Sequence, residues 1–268
     1  MAASDHISGL FPALLKHWRA QRGLSQLDLA MAADVSARHV SFLETGRSVP
    51  SAEMILRLAT TLDVPLRHAN AMLRSVGCEA VYPESNGPLA PEVAQALQMM
   101  KDHHEPFPLV VVDRLYDVVD LNGGAQALFA ALLGSLTAAI PPPWNLLRLT
   151  FDERLRPAFC NFDELGPAVL WRLQREVLAD PNDAPLRALM EEVSAMPNVD
   201  ERWRKVDLSV PSSPAIGVHL RIGELDLRFL TMVTALQAPQ TVRLDELRIE
   251  TWFPSDEATA EACGAFGA

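Results

Sequence analysis

Between Ser25 and Gly46 lies the feature that most limits the fold: two helix starts in quick succession, separated by a turn too short for anything but tight packing. Ser25 is a natural helix cap, and Asp28 three residues later gives the spacing of a reciprocal capping pair. Ser36 is a second cap, Ala33, Asp34 and Val35 make the turn, and Gly46 takes the glycine position just past a helix end near Glu44. Ala30 must be small because the two helices cross there. Leu27, with Ala30 or Met31, is expected to bury the first of them. Val40 and Leu43 pin the second to a core and leave its other side, with Ala37, Arg38, Ser41 and Phe42, uncovered.

Three more helices surround this pair. Residues 10–21 carry a stripe of Leu10, Leu14, Leu15 and Trp18, ended by Gly23. Pro50 and Ser51 open a helix facing inward with Met54, Ile55, Leu58 and Leu62. A last one follows Pro65 and carries Leu66, Ala69, Met72 and Leu73 to Gly77. Residues 1–77 are thus expected to form an all-α, five-helix, helix-turn-helix domain whose exposed helix suits the major groove of double-stranded DNA. Gln26, at a helix start, can offer both its amide and the helix N-terminus to phosphate.

The charge distribution agrees. The chain has 268 residues and a formal net charge of −11. Residues 1–75 hold eight Lys and Arg against six Asp and Glu, a balance of +2, whereas the remainder holds fifteen against twenty-eight, a balance of −13. Only the first segment should approach a polyanion.

Residues 78–90 read as a linker, and Pro91 opens a helix to about His103. Residues 107–112 and 117–121 form a hairpin, and Asn122, Gly123 and Gly124 lead into a helix over 125–133. Residues 136–143 must be a loop, since three prolines stand in a row. Residues 146–196 are mostly helical. Strands follow over 216–222, 225–236 and 242–253, and the tail from Glu257 is expected to fray. Two strands, helices and three strands give an α/β domain over 91–256 with a five-stranded antiparallel sheet, so the chain as a whole is α+β.

Several classes of function are disfavoured. No uncharged run of about eighteen apolar residues exists to span a membrane, and the start has neither the basic residues nor the apolar stretch of a signal peptide. The three cysteines, Cys78, Cys160 and Cys263, are odd in number and far apart, so no disulfide framework or thiolate zinc site is expected, and a cytoplasmic location fits. The adjacent His103 and His104 fall at a helix end and are not expected to bind metal. No nucleophile elbow, zinc-protease or phosphate-loop motif occurs. Gly123 and Gly124 lack the third glycine of a dinucleotide site. The expectation is a protein that is not an enzyme and has no cofactor.

The spacing of Ser25, Gln26, Ser36, Val40, Ser41, Leu43, Glu44, Gly46, Arg47 and Pro50 resembles the Xre/Cro-type repressor domains of phage and bacteria. The resemblance implies Ala37, Arg38 and Phe42 as base-reading residues, with Ser41 nearby and Ser36 heading the helix. It also implies Gln26 and Arg47 on phosphates, and a structural pair between Glu44 and an arginine of the first helix, here Arg19. Arg38 would read a guanine, and Ala37 or Phe42 would meet a thymine methyl.

The second segment resembles a PAS-like domain, and in particular the ligand-binding domain of MmyB-type transcription regulators. The carrying runs are Leu109 to Arg114, Asp117 to Asn122, Asn145 to Leu149, Leu155-Arg156-Pro157, Asn161, Arg172 to Glu176, and Leu247 to Pro254. The chain departs from that pattern near Phe151-Asp152 and at Phe162. The resemblance implies a cavity between sheet and helices for a small hydrophobic ligand, a long-chain fatty acid. Phe129, Trp144, Trp171, Phe229, Met232 and Trp252 are candidates to line it, and Arg172 and Arg175 to hold a carboxylate. A plainer reading stays open, with these aromatics as ordinary core and the arginines at the surface or paired with Glu176.

Together these readings describe a cytoplasmic DNA-binding regulator, expected to be a homodimer on a palindrome. The alternative is an antitoxin-like or scaffold protein whose second domain binds a protein partner instead of a ligand.

Overall fold

The computed structural model describes residues 3–84, 87–205 and 213–266. Residues 85 and 86 of the expected linker and the last two residues of the expected tail lie outside the described residues. The chain divides into two units, the first made of Met1–Gly87 and Gln237–Asp245, the second of Pro88–Leu236 and Glu246–Ala268.

The first unit holds five helices: α1 (Ala3–Gln21), α2 (Gln26–Ala32), α3 (Ala37–Glu44), α4 (Ala52–Thr61) and α5 (Leu66–Ser75). Their core is Phe11, Leu15 and Trp18 from α1, Leu29 and Ala30 from α2, Val40 and Leu43 from α3, and Ile55, Leu58, Leu62, Ala69, Met72 and Leu73 beyond. Two expectations are corrected here. The α1 stripe runs through Phe11, and Leu10 is half exposed. On α2 the inward positions are Leu29 and Ala30, whereas Leu27 and Met31, four residues apart on the opposite face, are 58% and 73% exposed.

The unit also takes in more chain than the five helices. The buried Asn70 side chain accepts from the N–H groups of Val81 and Tyr82 and donates to the Tyr82 carbonyl, so residues 81 and 82 are held against α5 rather than forming a free linker. Residues 237–245 belong here as well. Within them the Val242 N–H donates to the Pro83 carbonyl at 3.0 Å, and Arg243 donates to the Gly87 carbonyl.

The second unit opens with α6 (Pro91–His104) and contains a five-stranded antiparallel sheet in the order β2-β1-β5-β4-β3. Its strands are β1 (Leu109–Val112), β2 (Val118–Leu121), β3 (Ala215–Ile222), β4 (Leu225–Ala235) and β5 (Arg248–Pro254). Between β2 and β3 come α7 (Gly123–Leu133), α8 (Leu146–Phe151), α9 (Phe162–Ala179) and α10 (Ala184–Ser194). The α+β class and the five antiparallel strands are as expected.

The last strand is shorter than the sequence suggested, because Val242–Glu246 forms the short helix α11 before β5 begins. The expected frayed tail is a helix too, α12 (Glu257–Phe266), which buries Thr259 and Cys263. Gly124 has a packing reason: a Cβ there would lie 2.2 Å from the Pro106 carbonyl oxygen. The Glu105 carboxylate accepts from the Gly123 and Gly124 N–H groups at 2.6 and 2.9 Å, so a protein side chain fills the α7 N-terminus.

Candidate DNA-reading helix and buried cavity

On the first unit, α2 and α3 are fixed from both ends. The Ser25 hydroxyl accepts from the Asp28 N–H at 3.1 Å, and the Asp28 carboxylate accepts from the Ser25 N–H at 2.9 Å, closing the capping pair. Asp34 turns the chain at φ +55°, and the Val35 N–H donates to the Ala30 carbonyl. Ser36 caps α3 by accepting from the His39 N–H at 3.1 Å. At the far end Gly46 has φ +70°, and the Arg47 N–H donates back to the Phe42 carbonyl.

A three-residue polar lock sets the helix orientation. Arg19 donates to both carboxylate oxygens of Glu44, at 2.5 and 3.0 Å, and to the Leu24 carbonyl; Gln26 donates to the same carboxylate at 2.7 Å. The Glu44 side chain is only 3% exposed. Burial works against its charge, but the hydrogen bonds from Arg19 and Gln26 and the nearby positive charges outweigh that and hold its carboxyl below the usual range.

The outward side of α3 gathers Ser36, Arg38, Ser41 and Phe42, while Ala37 beside them is partly buried against the core. Arg38 and Arg47 are exposed and lie over the Phe42 ring, 5.1 and 5.9 Å from its centroid. Gln26 uses one amide hydrogen on Glu44, which leaves the other and its backbone N–H at the head of α2.

In the second unit a cavity of about 710 Å³, its mouth included, lies between the sheet and the helices. Leu128, Phe129 and Leu132 of α7, Leu147 and Leu149 of α8, and Leu165 and Val169 of α9 make its apolar wall. The sheet contributes Ile216, Val218 and Leu220 from β3, Thr231 from β4, and Glu250 and Trp252 from β5. Ile216, Thr231 and Trp252 form one row across the three paired strands. Arg172 enters from α9, seven residues and two turns after Leu165, beside Tyr116.

Of the sequence candidates, Phe129, Arg172 and Trp252 line the cavity and the others stand outside the lining. Trp144 packs edge-on against Phe129 with its N–H on the Ile140 carbonyl, Trp171 donates to the Trp203 carbonyl, and Phe229 is buried against Trp252. Met232 is 43% exposed, because β4 alternates and Thr231 takes the cavity side. Arg175, three residues beyond Arg172, turns off the lining face and has a partner of its own.

Of the polar groups at the cavity, Arg172 was foreseen, whereas Tyr116 and Glu250 were not. The Tyr116 hydroxyl donates to Glu176 at 2.9 Å. Burial pushes the Glu176 carboxyl up, against the pull of that hydrogen bond and of Arg248 and Arg172. Burial likewise pushes Glu250 up, against the attraction of Arg172. The signal for Glu250 was its parity: a strand residue two before an inward Trp252 must also point inward.

The His103 and His104 rings hydrogen-bond to backbone oxygens, those of Met99 and Trp252, His104 also packs edge-on against Phe107 and Phe253, and among the described residues no cluster of three or more His, Cys, Asp or Glu suits a metal. No helix among the described residues is long and apolar enough to cross a membrane.

A lock that presents one helix, in a chain whose second unit holds a largely apolar cavity, fits a DNA-binding unit joined to a ligand-binding one. Comparison with protein families agrees on both halves: a helix-turn-helix family matches residues 15–68, and the MmyB-like transcription regulator ligand binding domain matches residues 93–265. The chain belongs to the MmyB-like transcription regulators and is a DNA-binding, ligand-responsive regulator. No curated protein matches it. Among solved structures it is similar to an RNA-binding Light-Oxygen-Voltage receptor at 14% identity and a TM-score of 0.24, over 99% of this chain and 65% of that one.

Proposed function

We propose that this regulator reads a palindromic operator as a homodimer and that a long-chain fatty acid in the cavity changes how tightly it does so. The observation that carries the ligand is the cavity itself, lined mostly by apolar side chains, with Arg172, Tyr116 and Glu250 close enough to one another to interact. A hydrocarbon tail against leucine and phenylalanine, with its carboxylate toward Arg172, matches that distribution.

The proposed reading surface is Arg38 and Phe42 with Ala37 and Ser41, flanked by Gln26, Ser36 and Arg47 for phosphates. The chain connectivity supports coupling. Strand β4, which carries Thr231, runs into residues 237–245 of the first unit, and the chain returns as β5 with Glu250 and Trp252. A ligand that shifts these strands therefore pulls on a segment of the DNA-binding unit, in addition to any effect through α6. By linkage the ligand must prefer one of the free and DNA-bound forms.

Mass spectrometry of an organic extract of natively purified protein tests the ligand, with thermal shift on adding long-chain fatty acids. A copurified acyl chain and a raised melting temperature are expected. A clean extract with no shift would favour the protein-partner reading, which has the exposed Leu230, Met232 and Phe253 on the other face of the sheet in its favour.

A further inference from the structure

The Trp252 indole N–H is buried without a hydrogen bond of ordinary geometry among the described residues, and it lines the cavity together with Arg172 and the Glu250 carboxyl, which lies near it. Trp252 is 8% exposed, so its N–H is not satisfied by bulk water. Buried polar groups are nearly always paired, and an unpaired indole N–H beside an arginine and a glutamate on one cavity wall points to a ligand head group.

The surroundings of Glu250 are sparse in charge. From α9 it faces Arg172 and Glu176, from the β1–β2 turn Tyr116, and Arg248 precedes it on its own strand. Its direct partners across β1 and β4, Val110 and Val233, carry none. Glu176 already has the Tyr116 hydroxyl as a donor, whereas Glu250 has only the indole N–H close by.

We propose that Glu250 sets the head-group charge the cavity accepts: the fatty acid enters together with one proton, shared between its carboxylate and that of Glu250 in front of Arg172. This rests on the fatty-acid reading above. Arg172 already faces two carboxylates, those of Glu176 and Glu250. A ligand carboxylate at the same end would add a third like charge against that cation, an arrangement in which one carboxyl keeps a proton. Glu250 is the group suited to take it, since burial already favours its neutral form. The indole N–H and the guanidinium then donate to the oxygens that remain.

The test is calorimetric titration of a long-chain saturated fatty acid into wild type and Glu250→Gln, from mildly acidic to mildly alkaline pH and in buffers of different ionisation heat. The ratio of the two affinities cancels the ligand's own titration. The two proteins should bind alike at acidic pH, and wild type should then weaken relative to Glu250→Gln by about tenfold for each pH unit above the Glu250 pKa. Wild type should take up one proton per ligand there, and the variant none. The corresponding fatty alcohol should show no such divergence. A ratio flat with pH, or wild-type binding with no proton uptake anywhere in the range, overturns the proposal while leaving fatty-acid binding intact. Should the variant fail to fold, the wild-type buffer series decides alone. Folded wild type that binds no fatty acid at any pH overturns both the proposal and the reading it rests on.

Discussion

Arg38 and Arg47 share the Phe42 ring, so these side chains act as a group rather than singly. Arg38→Ala should weaken binding to a selected operator by about 1–3 kcal/mol and relax preference at one base pair. Arg47→Ala should weaken all sequences about equally and flatten the salt dependence. Phe42→Ala, by freeing both guanidinium groups, should impair specific and nonspecific binding together; titrations against operator and scrambled duplexes separate these outcomes. Glu44 carries a stability prediction. Its carboxyl sits below its unfolded value, so its contribution is complete above the ordinary glutamate range and is lost as pH falls through the depressed value. Glu44→Gln should destabilise the first unit by about 1.5–3 kcal/mol at neutral pH and remove that part of the acid sensitivity, as read by denaturant unfolding across pH. The Arg19–Glu44 pair was legible in the sequence because the motif supplies it. Glu250 was missed for the opposite reason: a glutamate reads as surface until the parity of its strand is known.

The helices were legible where a cap and an apolar stripe coincide, as at Ser25 and Ser36, both of which cap as expected; Ser51, expected with Pro50 to open the next helix, turns out to cap it. Where the stripe was ambiguous by one position, as with Leu10 and Phe11, only packing decided it. The segment before β5 was illegible for a physical reason. Residues 242–246 have strand-compatible composition, but their burial comes from the first unit, which no local pattern encodes. There the Asp245 carboxylate accepts from the Leu66 N–H at 2.8 Å, capping α5 in place of Pro65, which has no side-chain oxygen to offer. Asp245→Ala in the full chain should destabilise that helix by roughly 0.5–2 kcal/mol, seen as faster amide exchange in the first turn of α5. Unchanged exchange there would mean the cap contributes nothing. A fragment ending at Gly87 should be less stable than the same helices in the full chain.

In the whole molecule one chain passes from the first unit to the second after Gly87, back after Leu236, and out again after Asp245. That threading joins the cavity strands β4 and β5 covalently to the DNA-binding unit, and under the proposed coupling the effects of ligand and operator on each other are reciprocal by linkage. The account also requires two chains per palindromic site. The most direct test is the affinity of the full chain for an operator selected from random DNA, measured with and without saturating long-chain fatty acid at fixed salt. The account predicts a change of about 5–150-fold in either direction, the usual span of such coupling. Equal affinities under conditions where the fatty acid is demonstrably bound would contradict it.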